Sequence, residues 1–239
     1  CPSVIILYTF LEKKYVKKGY GIITSLGYIM KCLELFCGTK SFKKACPDDW
    51  EVISVDILEK FNPDICCDIL DLDYKQWGIG QFDIIWASPP CRFFSAARCS
   101  WLGRKTKFNN CILTKEIMKD DELLHGLPPV EKALEIIDYL KPKFWFMENP
   151  QTGRLKNYIT DRYFIDVDYS QFGYDYRKRT RIWTNITELT DKKTCNKIRH
   201  KTSIANKSCR RVSLLERYSV PKSLFDYLLV EPIRSWANL

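Results

Sequence analysis

Short apolar runs alternate with amphipathic stretches along most of this chain. Residues 32–36, 52–55, 82–87, 144–147, 164–167 and 181–184 read as strands, being short, apolar and bounded by polar or turn-forming residues. Between them residues 41–46 can open a helix. Residues 130–140 place Val130, Ala133, Leu134, Ile136, Ile137 and Leu140 on one helical stripe. Pro142 stops that helix by pushing the residue before it out of helical geometry. After Thr184 the pattern dissolves into a polar, basic stretch as far as about Arg217, and residues 221–230 predict a last amphipathic helix. This alternation predicts an α/β fold with helices on both faces of the sheet. In open sheets of that kind ligands bind beyond the carboxyl ends of the strands. That rule gathers residues 36–39, Asp56, Asp68, residues 88–91 and residues 148–150 on one rim.

Composition narrows the class without naming it. The 239 residues are 46% hydrophobic and 28% charged, as in globular proteins, and enough to bury a core. No apolar run approaches the roughly eighteen residues of a membrane-spanning helix, and an intracellular protein is expected. Eleven cysteines could suggest a disulfide framework, but Cys32, Cys37, Cys66 and Cys67 lie in or beside apolar segments, which fits reduced thiols better. Cys195, His200 and Cys209 match no familiar zinc spacing, so no metal is expected. Residues 1–29 read as an extension ahead of Met30, residues 30–184 as the main domain, residues 185–217 as a small appendage and residues 218–239 as a helix packing back.

Charge is unevenly spread. Residues 171–222 hold fourteen Lys and Arg against four Asp and Glu, and residues 92–119 hold seven against one. Residues 48–83 reverse this, with two against ten. Basic blocks flanking an acidic one suggest a polyanion on one side of the rim and a different ligand on the other.

Three segments carry candidate chemistry. The strand ending at Ala87 runs through Ser88 into Pro89-Pro90-Cys91, where two fixed φ angles hold a thiol rigidly over the rim. A thiolate is both a good nucleophile and a good leaving group, suited to activating carbon 5 of cytosine by adding to carbon 6. The strand ending at Met147 delivers Glu148, a carboxyl group able to neutralise ring nitrogen 3 as that addition proceeds. Arg179 and Arg181, two apart in an extended segment, share a face and could meet the carbonyl oxygen of the base and nearby phosphates.

In this order and spacing the segments resemble the DNA cytosine-C5 methyltransferase family. Residues 33–42, with Glu34, Phe36, Gly38 and Thr39, are similar to its motif I. Val55-Asp56 and Cys67-Asp68-Ile69 resemble motifs II and III, and Pro89-Pro90-Cys91 with Phe94-Ser95 matches motif IV including its spacing. Glu148-Asn149 matches motif VI, Arg179 and Arg181 match motif VIII, and Ser219-Val220-Pro221 resembles the end of motif X. The resemblance implies a Rossmann-like S-adenosylmethionine-dependent sheet with a very small target-recognition appendage, acting on DNA, double-stranded, as a monomer and without a membrane. It implies Cys91, Glu148, Arg179 and Arg181 as the catalytic set. It assigns the cofactor to Phe36, Gly38, Thr39, Asp56, Ile57, Asp68, Ile69 and Pro89, and nucleic acid to Ser95, Arg98, Arg177 and Lys178. It also makes residues 92–119 a long mobile lid. Motif I departs from the family in carrying Lys40 and Ser41 where glycines are usual, and motif VIII carries Arg177 in place of Gln.

Other readings stay open on sequence alone. Amino-methyltransferases share Ser-Pro-Pro, but place an aromatic ring where this chain has Cys91. An RNA substrate is possible within the family. A degenerate, non-catalytic DNA-binding relative would explain the altered motif I.

Overall fold

The computed structural model describes residues 29–192 except 107 and 109, residues 202–203 and residues 213–237. Its strands are β1 (Lys31–Leu35), β2 (Glu51–Asp56), β3 (Ile65–Cys66), β4 (Ile84–Ala87), β5 (Phe144–Pro150), β6 (Phe164–Asp168), β7 (Tyr176–Arg177), β8 (Arg179–Thr184) and β9 (Thr202–Ser203). Seven of them form one sheet in the order β3-β2-β1-β4-β5-β8-β6, and β7 pairs with β9 apart from it. Pairings from β3 across to β5 are parallel, while β8 runs antiparallel to both β5 and β6. The strand order reverses between β1 and β4, so the crevice for a ligand opens where those two strands end.

The central strands are apolar because both their faces are covered. Leu33, Leu35, Ile85, Ala87, Trp145, Met147 and Trp183 face one core, shared with α3 (Leu127–Leu140). Cys32, Ile84, Trp86, Phe146, Ile165 and Ile182 face the other, shared with Phe42 of α1 (Ser41–Ala45) and with Leu224, Phe225 and Leu228 of the C-terminal helix Lys222–Ala237. The expected α/β sheet with helices on both faces is therefore the fold. Val130, Ile136, Ile137 and Leu140 are each almost wholly buried, and each such side chain contributes about 2 kcal/mol by leaving water.

Two expectations need correction. Residues 92–119, expected as a long loop, carry structure of their own: a short 3-10 helix spans Ala96–Trp101, a bridge joins Lys105 to Ile112, and α2 (Lys115–Asp121) follows. Phe93, Phe94, Leu113 and Met118 bury themselves and pin the segment to the body. The helix expected over residues 130–140 also starts earlier. It begins at Leu127 and continues from α2 through a π turn at Glu122–Gly126. Pro128 and Pro129 follow the π turn in the first turn of α3, and because they lack N–H groups they cannot continue the hydrogen-bond ladder from α2. Gly126 is required there, because an added Cβ would lie 2.8 Å from the Phe94 ring.

Residues 1–28, most of the appendage expected at residues 185–217, and the considered Cys195, His200 and Cys209 set lie outside the described residues. What is described of the appendage includes β9, which returns to pair with β7, and α4 (Leu214–Tyr218), closed at its start by a capping box between Ser213 and Glu216. The C-terminal helix, α5 (Lys222–Ala237), follows Pro221 and packs on the sheet through Leu224, Phe225 and Leu228. Among the described residues no helix is long and apolar enough to cross a membrane.

Candidate active site

Cys91 stands just beyond the carboxyl end of β4. The chain leading to it is held at Pro89, whose carbonyl accepts from buried Asn149 Nδ2 at 2.9 Å. The Cys91 carbonyl accepts from Phe94 N at 3.0 Å and Ser95 N at 2.9 Å, so the residue opens a tight turn. Arg154 secures that turn from below. Its backbone N–H donates to the Phe94 carbonyl at 2.8 Å and its guanidinium to the Phe93 carbonyl at 2.9 Å, while it pairs with Glu122 of the π turn. Sequence patterning did not single out Arg154 or Glu122, which come together only through the fold.

Glu148 projects from β5 and is buried. Its Oε1 accepts from the Tyr169 hydroxyl at 3.1 Å, and Lys178 Nζ lies 4.0 Å from the same oxygen. Lys178 Nζ also lies 4.4 Å above the Tyr169 ring and 3.4 Å from the Ser219 carbonyl. Burial pushes the Cys91 thiol up and Glu148 pushes it further, whereas Lys178 pulls it down. Burial likewise lowers Lys178, opposed by the negative charge of Glu148 and Cys91. Burial and Glu148 raise the Tyr169 phenol well above its ordinary range. Cys91, Glu148, Lys178 and Tyr169 thus form one electrostatic group, drawn from three strand ends and the link between β7 and β8.

Arg181 is not part of it. Strand pairing puts Glu148 opposite Ile182 and Arg181 opposite Asn149 and Asp166. Paired residues share a face and neighbours alternate, so Arg181 and Glu148 project to opposite sides of the sheet. There Arg181 grips Asp166 with two hydrogen bonds, at 2.8 and 3.0 Å, and stacks over Phe164 at 3.5 Å.

Three of the residues expected to bind nucleic acid are also placed differently. Lys178 is turned inward, its side chain only 14% exposed. Arg98 is buried in an ion pair with Asp121 and lies 5.4 Å from the Phe93 ring. Ser95 caps the helix that follows it by accepting from Ala97 N. Arg179 is exposed, and Arg177 is half-exposed with Asp168 at 3.4 Å. Arg92, not singled out by sequence, is exposed and stacks on both Phe93 and Phe108 at 4.7 Å.

On the other half of the rim, β1 ends in a loop with Phe36, Gly38 and Lys40 in left-handed geometry. Asp56 ties this loop to β2, accepting from Gly38 N at 2.8 Å and from Leu58 N at 2.8 Å. Asp68 accepts from Leu70 N at 3.0 Å. Ser41, hydrogen-bonded to Thr39, also accepts from Val220 N at 3.1 Å, bringing the C-terminal segment onto this loop.

A Frog virus 3 (isolate Goorha) protein carrying the name Probable DNA (cytosine-5)-methyltransferase is 44% identical to this chain over 170 residues, spanning 70% of this chain and 75% of that protein. The chain belongs to the DNA (cytosine-5)-methyltransferase family. Two solved structures also align with it: a variant of DNMT2 from Spodoptera frugiperda, with TM-score 0.41 and 19% identity, and the Entamoeba histolytica methyltransferase EhMeth, with TM-score 0.43 and 14% identity. The alignments cover 69% and 70% of this chain but only 55% and 57% of those chains. No protein-family model matches the chain.

Cytosine-5 methyltransferases take their methyl group from S-adenosylmethionine. The residues present fit that group. Ile57, Leu58 and Leu70 expose apolar surface beside Asp56 and Asp68, at 59%, 45% and 46%. Apolar surface flanked by carboxylates suits an adenosine, whose ring stacks while its ribose hydroxyls donate hydrogen bonds. Ile69, expected on this surface, is instead in the core, and the exposed Leu70 is its neighbour.

Proposed function

We propose that this chain transfers a methyl group from S-adenosylmethionine to carbon 5 of cytosine in DNA, with Cys91 as the nucleophile. The observation that carries the reading is the placement of a rim thiol, Cys91, in one buried electrostatic group with the Glu148 carboxyl group. Cytosine presents carbon 6 to a nucleophile only after leaving the base stack. The Cys91 sulfur then bonds to carbon 6, and the displaced electron pair is taken up at nitrogen 3 with a proton from Glu148. Carbon 5, now electron-rich, would take the methyl group from the sulfonium donor, which is left as a neutral thioether. Loss of the carbon-5 proton to solvent then expels the Cys91 sulfur, and nitrogen 3 returns its proton to Glu148, restoring the ring. The Tyr169 hydroxyl holds Glu148 in place through its 3.1 Å hydrogen bond.

S-adenosylmethionine supplies an electrophilic methyl group when bound. Asp56 and Asp68 are the acceptors for its ribose and adenine, Ile57 and Leu70 the surface for its ring, and Phe36, Gly38, Thr39 and Pro89 the adjoining wall. Arg179, Arg177 and Arg92 are the cations available to phosphate, a sequence-independent contact. Residues 185–217 form a target-recognition region of only 33 residues, so base recognition is short or is shared with another protein.

The test is nucleoside mass spectrometry on mixed-sequence duplex DNA incubated with the chain and S-adenosylmethionine. The expected product is 5-methyldeoxycytidine, absent with Cys91→Ala although that variant still binds the cofactor. Methyl on an exocyclic amine, or activity in Cys91→Ala, would overturn the assignment.

A further inference from the structure

We propose that the buried ammonium of Lys178 is the counter-charge against which the Cys91 thiolate forms. The inference rests on the reading of Cys91 as nucleophile and deepens it, making Lys178 a positioning residue that acts through that thiol.

The geometry is specific. Lys178 follows β7 and precedes β8, and its side chain turns inward between elements that each offer it something. Glu148 from β5 lies at 4.0 Å, the Tyr169 ring at 4.4 Å and the Ser219 carbonyl at 3.4 Å. Its backbone is fixed as well, donating to Asp168 Oδ1 at 3.2 Å, and Asp168 also faces Arg177 at 3.4 Å. Ser219 is held in turn by the Tyr174 hydroxyl at 2.6 Å. Among the described residues, the ionisable groups facing this ammonium include Glu148 and the Tyr169 phenol, with Asp168 behind its backbone, and the charge of Cys91 acts on it as well.

Charge balance says what the arrangement does. With Cys91 protonated, Lys178 pairs with the Glu148 carboxylate. If the thiol proton ends on Glu148, Lys178 pairs with the thiolate and the group keeps the same net charge. One buried cation thus serves either anion, and the second state is the one the reaction needs: a thiolate for carbon 6 and a protonated carboxyl for nitrogen 3. Both anions together would leave one negative charge uncompensated, which burial disfavours. Arg181 cannot serve in this way, because it faces the opposite side of the sheet and is held by Asp166.

The test reads the thiol and not the methyl transfer. The full chain is alkylated with iodoacetamide across a pH series, without DNA or cofactor, and modification at Cys91 is followed by peptide mass spectrometry apart from the exposed Cys66 and Cys99. Lys178→Met is expected to raise the midpoint for Cys91 by about one pH unit or more and to slow alkylation about tenfold near neutral pH. Lys178→Arg should restore most of the rate, Glu148→Gln should lower the midpoint, and Arg181→Met should leave it in place. Circular dichroism checks folding, and Lys178→Gln carries the same expectation should the Met variant not fold. An unchanged midpoint without the Lys178 charge, or a shift in Arg181→Met as large as in Lys178→Met, would overturn the proposal. Absence of 5-methyldeoxycytidine with the unaltered chain would instead count against the reaction, leaving the alkylation result intact.

Discussion

On the acidic half of the rim, carboxylates meet backbone amides; around Cys91, ionisable side chains act on one another. Asp56 holds Gly38 and Leu58, Asp68 holds Leu70, and Glu34 accepts from Phe42 and Lys43 at the start of α1. These contacts set the shape of loops, and none reaches more than eighteen residues along the chain. Around Cys91 the partners are Glu148, Lys178 and Tyr169, from separate segments, and what they share is charge. A carboxylate gripped by N–H groups fixes a loop around a ligand. A cluster of ionisable side chains can move a proton as a bond forms. The rim therefore divides into a half built to hold a ligand and a half built to move charge.

Substitutions on the two halves should separate these roles. The largest effect is expected from Glu148→Gln, which removes the proposed proton source for nitrogen 3: methyl transfer should fall by roughly a hundredfold or more, with cofactor affinity by calorimetry unchanged. Weakened cofactor binding in that variant would break the division. Asp56→Ala should do the reverse. It leaves the Gly38 and Leu58 N–H groups without their acceptor, at a cost of about 1–3 kcal/mol each where water cannot replace it. Cofactor affinity should drop about tenfold or more while the pH midpoint for Cys91 alkylation stays in place.

Glu34 gives a smaller, pH-dependent effect. Burial lifts its carboxyl group to about 7 from an ordinary value near 4.5, although the Phe42 and Lys43 amides oppose the rise. Between these values the folded chain holds a proton that the unfolded chain has lost, so stability falls as pH rises through that window, by on the order of 2–3 kcal/mol. Urea unfolding at pH 5 and pH 7.5 measures this, and Glu34→Gln should flatten the difference. The smallest effect is expected from exposed Arg179. Arg179→Ala should weaken DNA binding about equally for all sequences and reduce its salt dependence by about one phosphate contact. Sequence-selective loss would show that Arg179 reads bases and does not merely hold the backbone.

How much of this was legible in the sequence follows the same division. The strands ending near Phe36, Asp56, Ala87 and Glu148 were readable because buried parallel strands are short apolar runs, and the rim followed from where they end. Pro89-Pro90-Cys91 was readable because two prolines restrict the chain locally. The helix over residues 130–140 was readable from its stripe, but its extension back through the π turn to Lys115 was not, since Gly126 of that turn makes sense only against Phe94, which lies far away in sequence. Arg179 and Arg181 were correctly put on one face. Which face holds Glu148 depends on the register between β5 and β8, which is non-local.

The sequence by itself determined the α/β architecture, the order of the motifs and the rim position of the candidate nucleophile Cys91, since these rest on short-range periodicity and on local restriction of the chain. Only the tertiary structure decided which cation faces the thiol. In a sheet, a residue and its neighbour along the strand point to opposite sides, so pairing alone turns Arg181 toward Asp166. The link between β7 and β8 turns Lys178 inward, and burial between β5, Tyr169 and Ser219 makes its charge matter to Cys91.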